Sequence, residues 1–188
     1  MILIGISGKK TSGKTTCAEI IKELFPDKTI IINFGDAVKE SLKVIFDFSD
    51  SELYGDDKEK VNEFWNITPR EVMQFYATDL MRNQLSKRFE TLSTNLWVKC
   101  VEKKIIKLLS KDVIVIIADL RFMNEYEMIK KYNGITLRIN RNNTGLYDKH
   151  QSEIELDNVE FDYNISNNST TEDLIENVIE FIENFNIS

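Results

Sequence analysis

Directly after the apolar run Ile2-Leu3-Ile4-Gly5-Ile6 comes Gly8-Lys9-Lys10-Thr11-Ser12-Gly13-Lys14-Thr15, which fits G-x-x-x-x-G-K-[S/T]. Few short patterns restrict a chain so tightly. Two glycines let the backbone curl so that successive N–H groups point inward at an anion, and the helix that follows aims its positive end at the same spot. Helix-spaced apolar residues continue through Thr16–Phe25, so strand, loop and helix are expected in that order. On this reading Lys14 reaches the β- and γ-phosphates of a nucleotide and the Thr15 hydroxyl holds Mg²⁺.

The length of 188 residues is most simply one domain, enough to bury about 70% of the surface its unfolded chain would expose. The two cysteines, Cys17 and Cys100, stand far apart without C-x-x-C spacing, and His150 is the sole histidine. That excludes a disulfide scaffold and disfavours a structural zinc, and fits a reducing compartment. No stretch approaches the roughly 20 apolar residues of a membrane span, and the N-terminal run lacks a basic leader. A soluble, cytoplasmic protein with no membrane partner is expected. The net charge of −7 argues against long nucleic acid as a partner, because such binding needs a broad basic surface. Small phosphate ligands need only a local basic pocket. Lysine is the default cation here, and arginine occurs only at Arg70, Arg82, Arg88, Arg121, Arg138 and Arg141. A planar fork that grips phosphate bidentately is what lysine cannot imitate; taken singly, each arginine is equally a solvated surface residue.

Beyond the first helix, Thr29–Phe34 reads as a buried strand of a parallel sheet, and Gly35-Asp36 breaks into a helix over Ala37–Phe46. Asp36 and Lys39 line its start, either beside an anion or as an N-cap with a solvated lysine. Residues 47–67 lack a strong period and read as loop with a short helix. Thr68-Pro69-Arg70-Glu71 is a capping box with proline at the first helical position. Arg70, Gln74, Thr78 and Arg82 then recur every fourth residue as one stripe, opposite an apolar face of Val72, Phe75, Tyr76 and Leu80. Such a stripe is a ligand-facing surface or simply the wet side of the helix. Asn95–Leu109 is amphipathic, and Val113–Ala118 is the best candidate for a central strand. It ends in Asp119-Leu120-Arg121, and a carboxylate at that end faces the phosphate loop, where a Mg²⁺-associated aspartate belongs. A helix over Phe122–Tyr132 with Gly134 as its cap, a strand Ile135–Ile139, a polar segment from Asn140 to Asp157, a strand Phe161–Ile165 and a capped C-terminal helix complete the chain. The polar segment is a closing lid or a plain surface loop. The last helix presents Leu174, Ile175, Val178, Ile179 and Ile182 for burial. Strands alternating with helices behind a phosphate loop predict a three-layer α/β/α parallel sheet.

Taken together, Ser7–Lys14, Phe34–Lys39, Thr68–Glu71 with Gln74 and Ala77-Thr78-Asp79, Leu96–Lys99, Asp119-Leu120-Arg121 with Glu125, and Asp148–Glu153 resemble the phage and large-virus deoxynucleoside monophosphate kinases, in the same order and nearly end to end. The resemblance implies a P-loop NTPase fold with a substrate-side helical region over about 36–100 and a short lid over about 140–157. It implies that Gly8, Ser12, Gly13, Lys14, Thr15 and Thr16 hold the phosphates of ATP with Mg²⁺, the metal resting on Thr15 and Asp119. It further implies that Lys10, Lys39, Arg70, Gln74, Thr78, Trp97, Asp119, Arg121 and Glu125 surround the acceptor nucleotide, with Lys14, Arg121 and Arg141 catalytic and Arg141 the lid arginine. A homodimer stays compatible with it. The family often has glycine where Ala77 stands and proline where Ala37 stands, which leaves base preference open.

The implied reaction moves the γ-phosphoryl of MgATP onto the 5′-phosphate of a deoxynucleoside monophosphate. The acceptor oxygen is already an anion, so no general base is required. A phosphomevalonate kinase-like enzyme shares the loop, the D-x-R and a tail like Ser152–Asn158, although the Thr68–Gln74 pattern favours the nucleotide kinase. A nucleotide-gated binding module is a further alternative, opposed by the lack of an N-K-x-D motif.

Overall fold

In chain order the elements are β1 (Ile2–Ser7), α1 (Lys14–Leu24), β2 (Thr29–Ile31), α2 (Asp36–Phe46), α3 (Asp50–Leu53), a 3₁₀ turn (Asp56–Glu59), α4 (Pro69–Gln74), a π-helix (Phe75–Gln84), α5 (Leu85–Arg88), α6 (Leu96–Ile106), β3 (Ile114–Leu120), α7 (Met123–Lys131), β4 (Ile135–Asn140), α8 (Gln151–Ile154), β5 (Tyr163–Ser166) and α9 (Thr171–Asn184). The computed structural model describes residues 1–90, 92, 95–142 and 150–188. The expected lid over 140–157 therefore falls in part, Asp148 included, outside the described residues. Those described form two compact units, Met1–Asn33 with Val101–Ser188, and Phe34–Cys100.

The first unit is built on a sheet whose described strands lie in the order β2-β3-β1-β4-β5, every pairing parallel. Because β1 has a neighbour on each side and helices over both faces, Leu3–Ser7 are all buried. That is why β1 reads as an uninterrupted apolar run and not as an alternation. On one face Ile4, Ile6, Ile116 and Leu137 pack with Cys17, Ala18 and Ile21 of α1 and with Leu174, Val178 and Phe181 of α9. Gly5 points to the other face, where a Cβ would come within 3.0 Å of Ile129 Cγ1 and 3.1 Å of Leu120 Cδ2, so α7 lies close against β1. Helix, sheet and helix give the three-layer α/β/α arrangement that the alternation predicts. Each large apolar side chain buried in this way contributes about 1.5–3 kcal/mol relative to an exposed one.

Several details depart from expectation for physical reasons. Strand β2 stops at Ile31, yet Ile32 N still donates to Ile116 O at 2.9 Å and Asn33 Oδ1 accepts from Ala118 N at 3.2 Å. A side chain there replaces a ladder bond. At the end of α7 the left-handed residue is Asn133 (φ 53°), not Gly134. Gly134 N donates to Ile129 O at 2.9 Å, and a Cβ on Gly134 would sit 2.7 Å from Ile129 Cγ2, so glycine is there for space. In α9 the buried set is Leu174, Val178, Phe181 and Ile182, whereas Ile175 and Ile179 are exposed. Phe181 completes the inward stripe at seven-residue spacing from Leu174 and displaces those two to its edge.

The second unit packs Val38, Leu42, Phe48, Leu53, Val72 and Trp97 into a core of its own. Asp36 is the first residue of α2, with Gly35 at the cap position, and not the cap itself. Helix α4 starts as Thr68-Pro69-Arg70-Glu71 predicts: Thr68 Oγ1 accepts from Glu71 N at 3.2 Å, and Glu71 Oε2 accepts from Thr68 N at 3.0 Å. Thr68→Ala is expected to cost about 1 kcal/mol in chemical denaturation followed by circular dichroism.

After Gln74 the turns widen into the π-helix, and the four-residue stripe loses its simple meaning. Thr78 and Arg82 become buried, while Phe75 and Leu80 are exposed; Tyr76, Ala77 and Met81 pack on the core in their place. One carbonyl of this stretch, Ala77 O, accepts from Trp97 Nε1 at 2.9 Å. Side chains that reach into a helix's bonding ladder are a known cause of such irregularity, and π turns recur at functional sites.

Candidate active site

β1 ends with Ser7 opposite Leu120, the last residue of β3, after a register shift past Gly5, and opposite Arg138 of β4. The loop after β1 is thereby delivered beside Asp119 and Arg121, at the carboxyl edge where ligands of open parallel sheets bind. Gly8 (φ 148°), Thr11 (φ 63°) and Gly13 (φ 103°) turn that loop back on itself. A Cβ on Gly8 would lie 2.5 Å from Ile139 O, a backbone atom that cannot step aside cheaply. Gly8→Ala is expected to lower stability by about 1–3 kcal/mol and to weaken nucleotide binding, as thermal unfolding with and without ATP would report.

Helix α1 begins at Lys14 on a left-handed Gly13, which has no side chain to cap it. The first intrahelical bond is Cys17 N to Gly13 O at 2.9 Å, so the N–H groups of the opening turn have no partner within the helix. Ser12 Oγ is buried and has no hydrogen-bond partner among the described residues. Uncapped donors at a helix start next to a buried, unpartnered hydroxyl are what a phosphate would satisfy.

Lys14 Nζ donates to Gly8 O at 2.7 Å and to Lys9 O at 2.6 Å, lying along the loop. Burial, with the positive charge of Arg121, pushes Lys14 from its ordinary 10.5 down to about 7; Asp119 opposes this and Arg138 adds to it. Positive charge is thus gathered around Lys14, and an incoming polyphosphate would relieve it.

Mg²⁺ fits this setting. Thr15 is exposed at the second position of α1, and Asp119 stands at the end of β3. Among the described residues no group of three acidic, histidine or cysteine side chains is placed to cage a metal. One carboxylate, one hydroxyl and the substrate's own phosphates suit an ion that keeps several waters.

Of the residues singled out in the sequence, Gly8, Lys10, Ser12, Gly13, Lys14, Thr15, Thr16, Asp119, Arg121, Glu125 and Arg141 lie in the first unit, and Lys39, Arg70, Gln74, Thr78 and Trp97 in the second. Loop residues, Arg141, Asn167 and the start of α9 line a cavity of about 340 Å³. Arg141 reaches the loop through Thr11 O at 3.4 Å. Glu125 is buried and accepts from Arg121 N at 2.9 Å and Phe122 N at 3.1 Å, which fixes the chain just after β3. In the second unit Lys39 Nζ stands 4.2 Å over the Tyr54 ring, Arg70 pairs with Glu59, and Trp97 is a core residue.

Within each unit, residues that the sequence did not mark as ligands stand beside ones that it did. Asn167, just past β5, donates from Nδ2 to Ser12 O at 2.8 Å and from its backbone to Asn140 O at 2.7 Å. Its position beyond the carboxyl end of a strand is the signal that could have found it. Lys58 gathers near Lys39 and Arg70: burial first, then those two charges, lower its pKa. His150 serves locally, its Nδ1 accepting from Ser152 N at 3.3 Å at the start of α8.

A glycine loop between a central parallel strand and an uncapped helix, with a buried lysine and a strand-end D-x-R, defines a P-loop phosphotransferase. The chain belongs to the deoxynucleotide monophosphate kinase family, whose model matches residues 28–178. A protein of Acanthamoeba polyphaga mimivirus that carries a deoxynucleotide monophosphate kinase name is 34% identical over 192 aligned residues, covering 98% of this chain and 97% of that one. Among solved structures, the APS kinase of Mycobacterium tuberculosis in complex with AMPPNP and APS is similar at a TM-score of 0.48 and 12% identity, covering 97% of each chain. The dephospho-CoA kinase of Campylobacter jejuni is similar at 0.47 and 17%, covering 97% of this chain and 96% of its own. The glycine loop precedes the stretch matched to the family, so its reading rests on its own geometry. The protein is a nucleotide kinase.

Proposed function

We propose that the enzyme transfers the γ-phosphoryl group of MgATP to the 5′-phosphate of a deoxynucleoside monophosphate, supplying diphosphates for DNA precursor synthesis. The observation that carries the donor half is the start of α1 at Lys14 on a Gly13 that has no side chain to cap it, with the buried Ser12 Oγ unpartnered among the described residues. Gly8, Ser12, Gly13, Lys14, Thr15 and Thr16 hold the donor phosphates, with Mg²⁺ on Thr15 and Asp119. Mg²⁺ held there by Thr15 and Asp119 would supply charge neutralisation to the donor phosphates. In the first unit Lys10, Asp119, Arg121 and Glu125 serve the acceptor; in the second, Lys39, Arg70, Gln74 and Thr78 are assigned to it by the family resemblance, while Trp97, buried with its Nε1 on Ala77 O, acts only through the packing there. Glu125 serves it through the chain it fixes, because its carboxylate is engaged by the N–H groups of Arg121 and Phe122.

The chemistry asks little of a proton acceptor, since the attacking phosphate oxygen is already ionised. What the protein supplies is position and charge. Lys14 and Arg121 neutralise the transferring group, and Arg141 does so from the cavity rim. Among the described residues no helix is long and apolar enough to cross a membrane, and both cysteines are free thiols. We place the enzyme in the cytoplasm, that of the host if the chain is viral.

A panel of the four deoxynucleoside monophosphates, their ribose counterparts and mevalonate phosphate, each with MgATP, tests this reading by ADP formation. ADP release well above the no-acceptor control is expected with one or more deoxynucleoside monophosphates, and the ribose arm reads how far the sugar is discriminated. Release with mevalonate phosphate alone, or equal release without acceptor, would overturn it.

A further inference from the structure

Glu153 lies 32 residues beyond Arg121 in the chain and has no motif-given duty in the reaction, yet it is buried at the phosphate end of the first unit. Its Oε1 accepts from the Arg121 guanidinium, and its Oε2 accepts from the backbone N–H of Lys10 at 2.8 Å. Its own carbonyl accepts from Lys9 Nζ. One carboxylate thus bridges the two structures that converge on the phosphates, the loop after β1 and the arginine after β3. The next turn repeats the pattern: Asp157 accepts from Lys9 at 2.6 Å and from Arg138 at 2.9 Å, and Leu156 O accepts from Arg138 at 2.8 Å.

The chemistry of this bridge is directional. A guanidinium carries five N–H donors in a rigid plane, so a carboxylate gripping one edge fixes where the rest of the plane points. The Arg121 side chain keeps about 29% of its surface exposed while that of Glu153 keeps 4%, so the buried partner is the anchor and the arginine the part that faces outward. Because Glu153 Oε2 is held by the loop backbone, any shift of the loop carries Arg121 with it. A backbone N–H accepted by a charged carboxylate is also a stronger tie than a neutral one.

We propose that Glu153 is a positioning residue for phosphoryl transfer, holding the Arg121 guanidinium in register with the phosphate loop so that its charge meets the transferring group. The inference rests on the nucleotide kinase reading. Glu153 touches no substrate in this role; it acts through Arg121. Because displacements of about 1 Å at a reacting centre can cost 10²-fold, loss of the bridge should be visible in turnover before it is visible in binding.

The test is a double-mutant cycle on the full chain with MgATP and the best acceptor of the panel. Glu153→Gln keeps the size and an acceptor for Lys10 N–H but removes the charge. It is expected to lower kcat by about 10- to 100-fold with KM for ATP changed by less than about threefold. In an Arg121→Ala background the same change is expected to alter the remaining turnover by less than about twofold, because its effect passes through the missing guanidinium. Normal kcat in Glu153→Gln, or an equal loss in both backgrounds, would overturn the proposal. Should Glu153→Gln fail to fold, Glu153→Asp takes its place in the same cycle, with the same outcomes deciding. Absence of acceptor-dependent ADP from the unmodified enzyme would instead refute the kinase reading, so the two failures are distinct.

Discussion

Replacing Lys14 by alanine is expected to lower kcat/KM for phosphoryl transfer by at least ~10²-fold while thermal unfolding stays close to that of the unmodified chain. The loss follows from position. Lys14 opens α1, its ammonium lies along the carbonyls of Gly8 and Lys9, and it is the buried cation nearest the uncapped helix start. A donor preorganised at the place where charge accumulates costs nothing to reorganise during reaction, which is why its removal is felt so strongly. Stability is spared because among the described residues the desolvated side chain is bonded to carbonyls and to no carboxylate, and burial with the charge of Arg121 already depresses its pKa to about 7. Shortening it relieves that burial while giving up two carbonyl bonds. ADP formation coupled to a spectrophotometric readout, alongside calorimetric unfolding, measures both halves. Near-normal turnover would remove Lys14 from the reaction.

The second large effect is expected at Arg121. Arg121→Ala should also lower turnover by at least ~10²-fold, with the defect in kcat exceeding that in KM for ATP. Arg121→Lys should recover little of it, because an ammonium on a flexible stem cannot grip Glu153 on one edge and present a plane on the other. The backbone after β3 would hold its course in both variants, since Glu125 fixes it through the N–H groups of residues 121 and 122 rather than through the arginine side chain. Recovery of most activity in Arg121→Lys would show that charge alone matters and that the fork geometry does not.

How much of this was legible beforehand depends on whether the information is local. The glycine loop, the capping box at Thr68 and the apolar runs of β1 and β3 are written in contiguous residues, because turn geometry, helix starts and burial on two faces each constrain neighbours in the chain. Their outcome in the fold, a parallel sheet led by the loop, follows from those pieces and short connections. The π-helix was not legible: four-residue spacing from Arg70 to Arg82 looks the same whether turns are α or wider, and the difference lies in packing that brings Trp97 onto Ala77 O. Nor were the contacts of Glu153 and Asn167, which meet the loop from positions 143 and 155 residues away in the chain; Glu153 lies in the Asp148–Glu153 stretch of the resemblance, but nothing local says what it touches. Such residues are found only when the sheet edge is assembled. The exposed Phe75 and Leu80 teach the same lesson from the other side, since an apolar face assigned at α-helical period moves when the period changes.

The central claim is that two nucleotides are aligned phosphate to phosphate, with Lys14 and Arg121 holding the charge between them. Calorimetric titration with adenosine and a deoxynucleoside joined 5′ to 5′ through five phosphates tests it most directly. Such a compound is predicted to bind at least ~10²-fold more tightly than ATP, because its second half binds at high effective concentration, and to lose most of that advantage in Arg121→Ala. Affinity equal to that of ATP, unchanged by the substitution, would contradict the alignment.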